Sequence, residues 1–210
     1  MPTSHDNELE SLKDGGQSAL AELFSNYRER LERIVSFRLD PRVRGRIDAA
    51  DILQEAFLEV SERLPSFLQS PDVSFFVWLR QQTLQTLIDV HRREFRQKRD
   101  VNREIHFASA GTSGGTSLSI AQFLIDHVTS PSQVAIHAEE MQWLQQALNS
   151  MNEVDREVLA LRHFEQLGNN QVAEILGLTP TAASNRYLRA AARLSEIMQR
   201  LNSGSGPAKK

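Results

Sequence analysis

Apolar residues recur at steps of three and four along most of the chain, and no stretch alternates convincingly with a period of two. The pattern therefore predicts helices and no strands. Ala19, Leu20, Leu23, Tyr27, Leu31, Ile34 and Val35 form a first series, which stops at Asp40-Pro41. A second helix starts at Asp48, a side chain suited to capping, with Asp51 at the third helical position. Leu53, Phe57, Val60 and Leu64 form its stripe, and Pro65 is its expected end. A third begins near Pro71–Ser74 and carries Phe75, Trp78, Leu79, Leu84, Leu87 and Ile88 into a basic run.

The pattern then lapses. Ser109–Ser119 holds nine Ser, Thr or Gly in eleven residues, too little apolar surface to offset the entropy of ordering. Residues 100–130 therefore read as a flexible linker between a domain at 1–99 and a second at 131–201, with a small polar tail at 202–210. Periodicity resumes at Ser130-Pro131-Ser132-Gln133, a capping box with Pro at the first position. Met141, Leu144, Leu148 and Met151 follow as a stripe, and Asn152 caps a helix carried by Val154, Val158 and Leu161. A short helix to Leu176 stops at Gly177. Thr179 caps the last one, whose stripe is Ala183, Tyr187, Ala190, Leu194, Ile197 and Leu201.

The 210 residues are 40% hydrophobic and 24% charged, with 24 Lys+Arg against 27 Asp+Glu and a formal charge of -3. That balance argues against a protein that coats nucleic acid by charge alone. The charge is uneven. Arg92–Arg103 has six basic and two acidic residues, Glu104–Glu165 eight acidic and two basic, and Arg186–Arg200 four basic and one acidic. Two basic islands suit two polyanion-facing surfaces. Cysteine is absent, which removes disulfides and thiolate sites and fits a reducing cytoplasm. No apolar run is long enough to insert in a membrane.

Three constellations bear on function. Gln171–Ala192 has a short helix, a glycine turn and a longer helix with small Ala173 at the crossing, the helix-turn-helix arrangement. It projects Thr181, Ser184 and Asn185 outward, and Arg186 and Arg189 flank them to hold phosphates. A plain helical hairpin is the bland alternative. Phe67, Phe75, Phe76 and Trp78 precede Arg80, Arg92, Arg93, Arg96, Lys98 and Arg99. Aromatic faces hold unstacked bases while guanidinium groups track a backbone, although each aromatic alone also reads as core. Asp48, Asp51, Gln54 and Glu55 cluster off the second helix's apolar stripe, which capping and a solvated face also explain. The six histidines lack metal-ligand spacing, and Gly111-Thr112-Ser113-Gly114-Gly115 lacks a phosphate-loop lysine. Neither a catalytic site nor a cofactor is expected.

In this order the segments resemble the extracytoplasmic-function (ECF) group of bacterial sigma factors. DAADILQEAFLEV resembles the stretch that docks on core RNA polymerase. FFVWLRQQTLQTLIDVHRREFRQ resembles the promoter-melting helix, and VDREVLALRHFEQLGNNQVAEILGLTPTAASNRYLRAAARL the C-terminal reading module. The resemblance implies an all-α fold of two small helical domains and a protein that directs initiation without being an enzyme. It implies polymerase contacts at Asp48, Asp51, Gln54 and Glu55. It places Phe67, in a loop from Pro65 to Ser74, at a flipped base of the minus-ten element, and Trp78, Arg80, Gln81, Gln85, Arg92, Arg93 and Arg96 facing that element. Thr181, Ser184, Asn185, Arg186 and Arg189 would read the minus-thirty-five element of promoter DNA, and an anti-sigma protein is an expected partner. A linker of about 30 residues reaches at most ~100 Å, enough for separate promoter elements. The rival expectation is a stand-alone helix-turn-helix regulator with a helical sensor or dimerisation domain.

Overall fold

A computed structural model describes residues 4–40, 42–97, 113–128 and 134–203, and its regular structure is helical, with no strand among these residues. The chain divides into two units, Met1–Glu104 and Ile105–Lys210.

In the first unit α1 (Ser4–Arg38), α2 (Ala49–Gln69) and α3 (Phe75–Gln97) each pack on the other two. Leu20, Leu31, Ile34, Leu53, Val60 and Leu79 are buried, as their spacing predicts. α1 starts earlier than the sequence pattern indicates. Leu12 gives its polar first turns one buried anchor, and the Tyr27 hydroxyl donates to Glu8. Gly16, at φ 52° and ψ −127°, breaks the helix between the two parts, a conformation open to glycine.

α2 opens as expected. Asp51 N donates to Asp48 Oδ1 at 2.9 Å and Asp48 N to Asp51 Oδ2 at 3.1 Å, a reciprocal capping box. Its end is not at Pro65, as the sequence indicated: the helix continues to Gln69. Proline leaves the carbonyl four residues back without its donor, and here Gln17 Nε2 of α1 donates to that Ser61 carbonyl at 3.3 Å. A side chain from another helix thus supplies the missing hydrogen bond.

The α1–α2 connection is clipped to the end of α3. Asp40 N donates to His91 Nε2 at 3.2 Å. Arg42 bonds the Asp40 carboxylate through Nε and Nη2, at 2.9 and 2.7 Å, and lies 4.6 Å over the Phe95 ring. Arg46 pairs with Glu94 at 3.1 Å. Burial lowers the His91 pKa from 6.5 to about 4. Burial pushes the Asp40 carboxyl up, but the hydrogen bonds and charge of Arg42 outweigh it and hold the group low. Both groups act in the same direction. A folded-state pKa below the unfolded one gives stability that is present at higher pH and lost as pH falls. The first unit therefore loses up to about 3 kcal/mol between pH 6.5 and 4 as His91 protonates. Denaturant titrations across that range, with wild type and His91→Gln, check this: the substitution flattens the loss.

The second unit holds α4 (Ser113–Val128), α5 (Val134–Asn149), α6 (Glu153–Leu159), α7 (Asn169–Leu176) and α8 (Pro180–Asn202). A π-helical turn, Ala160–Phe164, follows α6. α4 corrects the linker expectation. It packs against α5 and α6 with Thr116, Ser117, Ile120 and Ala121 buried. Thr116 Oγ1 donates to Glu157 Oε2 at 2.6 Å, and Phe123 meets Phe164 edge-on at 4.9 Å. Composition alone misses this, because α6 brings the acceptor that lets a small hydroxyl residue be buried. The remaining linker positions 100–112, the capping box at 130–133 and the tail from 204 lie outside the described residues.

The turn from α5 to α6 is built on Arg156, which is 4% exposed. Its Nη1 donates to the carbonyls of Leu148, Asn149 and Met151 at 3.1, 3.2 and 2.5 Å. The Leu148 carbonyl also accepts from Met151 N at 3.0 Å, so the guanidinium reinforces the end of the helix and the turn beyond it. Asn152 Oδ1 accepts from Val154 N at 2.9 Å and starts α6.

Candidate nucleic-acid interface

α7 and α8 form the predicted helix-turn-helix. Gly177 closes α7 at φ 62° and ψ 35°, and Leu178 N donates back to the Ala173 carbonyl at 2.8 Å. Thr179 Oγ1 accepts from Ala182 N at 3.2 Å and starts α8. Asn169 Nδ2 bonds the Pro180 carbonyl at 2.7 Å and ties the helices together. Val172, Ala173, Ala183 and Ala190 are buried along the inner side. Thr181, Ser184, Asn185, Leu188 and Arg189 are exposed. At ~100° per residue these five fall within one arc of about 140°. Arg186 lies about 60° outside this arc, half-buried, and Nη1 is 2.9 Å from Asp155 Oδ1 of α6. The side chain expected to hold a phosphate thus also braces α8 to α6.

On α3 the expected residues divide. Gln81, Gln85, Arg92 and Arg96 fall along one stripe, with Gln81, Arg92 and Arg96 exposed and Gln85 half-buried. Gln85 Nε2 donates to Asp89 at 3.0 Å, and Arg92 pairs with the same carboxylate at 3.1 Å. Arg93 is exposed and pairs with Glu55 of α2 at 2.6 Å. Two residues expected to serve different partners are therefore bonded to each other. Lys98 and Arg99 lie outside the described residues.

Phe67, Trp78 and Arg80 are not surface groups, and their placement corrects the sequence reading. Phe67 lies in α2 rather than in a loop, is 6% exposed, and stacks on Trp78 at 4.3 Å with the rings 14° apart. Trp78 is 9% exposed and Arg80 4%. Because α2 runs past Pro65, the rings close the α2–α3 contact. Their faces are spent on each other, not presented to a base.

On α2, Asp48, Asp51 and Gln54 are exposed, and Glu55 is half-buried. Leu58, 62% exposed, continues this face. Leu58 and Leu188 escaped the sequence reading, although a signal existed: both leucines fall off the apolar stripes of their helices. Among the described residues there is no group of metal-ligating side chains and no helix long and apolar enough to cross a membrane.

Two family models match the chain: Sigma-70 region 2 over residues 23–97 and Sigma-70, region 4 over residues 141–194. The chain is also 26% identical over 184 residues to the ECF RNA polymerase sigma factor SigW of Bacillus subtilis, covering 86% of this chain and 89% of SigW. The chain belongs to the ECF group of the sigma-70 family. As a sigma factor it is a transcription initiation factor. It is 32% identical over 161 residues to the probable RNA polymerase sigma factor RfaY of Xanthomonas campestris pv. campestris, covering 75% of this chain and 36% of RfaY. It thus spans about a third of that longer relative. NccH of Alcaligenes xylosoxydans, an RNA polymerase sigma factor, is 28% identical over 152 residues, 72% of this chain and 74% of NccH. The fold is similar to that of CnrH, solved in complex with the cytosolic domain of CnrY. The TM-score is 0.50 at 19% identity, over 94% of this chain and 98% of the other. Region 2 coincides with the end of α1, α2 and α3. Region 4 covers α5 from Met141 through most of α8. α4 falls between the two matched regions.

Proposed function

We propose that this sigma factor divides its work among three exposed faces. The Asp48, Asp51, Gln54 and Leu58 face of α2 docks on core RNA polymerase. The Gln81, Gln85, Arg92, Arg93 and Arg96 face of α3 meets the minus-ten element and its separated strand. The Thr181, Ser184, Asn185 and Arg189 arc of α8 reads the minus-thirty-five element in the major groove, which admits one helix. In this reading Phe67, Trp78 and Arg80 fix the angle between α2 and α3 from beneath. Glu55 holds Arg93, and Asp155 holds Arg186, until polymerase and DNA compete for them. The site of action is the cytoplasm, and an anti-sigma protein that competes with polymerase completes the reading.

The observation that carries the proposal is the α8 arc: exposed, polar apart from Leu188, and limited to the first three turns of the helix that follows the glycine turn. Asn185→Ala is expected to change base preference at one position at a cost of about 1–3 kcal/mol. Arg189→Ala is expected to weaken all upstream elements alike and to lower the salt slope by about one. Transcription by purified core polymerase, on promoters varied in the upstream element and at several salt concentrations, separates the two. Identical base preference and salt slope in both variants defeat the assignment of α8. Tight promoter binding without polymerase favours the stand-alone regulator instead.

A further inference from the structure

We propose that Leu188 is a base-reading residue that selects thymine through its C5-methyl group at one position of the upstream element. The inference rests on the assignment of α8 to the major groove and names a contact within it. Leu188 is 63% exposed, although neighbouring positions 183, 187 and 190 supply the apolar stripe that holds α8 to the rest of the unit. Taking Thr181 as zero and ~100° per residue, Ser184 lies about 60° to one side and Arg189 about 80° to the other, with Leu188 near the middle. A shallow depression on this face is lined by Ala182, Asn185, Arg186, Leu188 and Arg189, so the leucine rises among polar and cationic side chains.

Position along the helix supports the same reading. Leu188 lies seven residues beyond Thr181, about 10 Å at 1.5 Å per residue. That is the rise of about three base pairs. A helix with its N-terminal half in the groove therefore spreads Thr181, Asn185 and Leu188 over different base pairs, with Asn185 about two and Leu188 about three base-pair rises beyond Thr181. Asn185 is a hydrogen-bonding reader, suited to adenine N6 and N7. Leu188 has no polar atom with which to read a base edge. The apolar group on a base edge in the major groove is the thymine methyl. An exposed leucine at that depth gains by covering it and gains nothing against cytosine or a purine.

The test uses the full chain with purified core polymerase. A promoter library randomised across the upstream element first gives the preferred sequence of wild type. Each thymine in that element, on either strand, is then replaced by deoxyuridine, which removes one methyl group and leaves the hydrogen-bonding edge intact. One replacement is expected to lower wild-type transcription about fourfold, the value of one buried methyl. Leu188→Ala is expected to transcribe the unmodified promoter at that lower level, to be indifferent to the replacement, and to select thymine less strongly at that position. Asn185→Ala stays sensitive to it. Leu188→Ala removes an exposed side chain, and circular dichroism confirms its fold. The proposal is overturned if no deoxyuridine substitution affects wild type, or if Leu188→Ala keeps both the sensitivity and the base preference. The exposed leucine then belongs to a protein contact. Failure of wild type to enrich any upstream sequence is a different result and defeats the reading of α8 itself.

Discussion

Gln54→Lys combined with Leu58→Glu abolishes promoter-dependent transcription by this sigma factor, by at least about a hundredfold, and leaves its helical content unchanged. The pair is chosen from the geometry of α2. Asp48 and Asp51 lie on the same face but also cap the helix, each accepting from the other's backbone N–H. Changing either costs about 1 kcal/mol of helix stability and confuses docking with folding. Gln54 and Leu58 carry no such duty. Both are exposed, and Leu58 leaves a large apolar surface in water. Interface energy concentrates in a few side chains that become fully desolvated at the centre of the contact, at about 2 kcal/mol or more each, and an exposed leucine ringed by polar groups is placed to be one. Replacing the apolar anchor by a carboxylate and the neutral amide beside it by an ammonium group buries unpaired charge in the contact and costs about 3–4 kcal/mol, or two orders of magnitude or more in affinity. Sedimentation with core polymerase reads binding directly, and transcription reads its consequence. Retained co-sedimentation removes docking from this face, while normal circular dichroism excludes a folding defect.

The parts of the molecule that were legible in the sequence are those specified by neighbours along the chain. The Asp48 cap involves residues three apart, and the Gly177 turn and Thr179 cap lie within one short segment. What the sequence hid depends on partners from elsewhere. Pro65 reads as a stop until Gln17, 44 residues away from Ser61, supplies the donor that proline lacks. Ser113–Ser119 reads as linker until α6 brings Glu157 to Thr116. His91 is one of six scattered histidines by spacing, and only the fold brings it against the Asp40 amide. The aromatic and basic residues before and along α3 look like one surface in a linear reading. In space Phe67 and Trp78 turn inward, and Arg92 and Arg93 stay outside. Residue type identified the chemistry available to this helix, but only packing decided which groups face outward.

Arg156→Ala unfolds the second unit first and costs about 4 kcal/mol, the largest loss of stability expected of any single substitution here. Arg156 Nη1 serves three carbonyls at the end of α5 and the turn beyond it. The buried Met151 carbonyl loses its donor at a cost of about 1–3 kcal/mol, and the Leu148 carbonyl, which keeps Met151 N, loses a bond to a charged group worth about 1.5–3 kcal/mol, at a site that is 4% exposed. Burial lowers the pKa of Arg156, yet an arginine stays charged at any pH at which the protein folds, so its three hydrogen bonds remain charge-assisted. Arg156→Lys is expected to lose about half as much, because an ammonium group lacks the planar fork. The functional consequence follows through α6. Asp155, the preceding residue, holds Arg186 at 2.9 Å, so loosening the start of α6 releases the brace on α8. Calorimetry should show one transition falling sharply and the other unchanged. Transcription should fail on promoters that need the upstream element, while co-sedimentation with core polymerase through α2 persists. If both transitions drop together, or polymerase binding is lost with them, the two units do not fold independently and Arg156 is not the brace of the second unit alone.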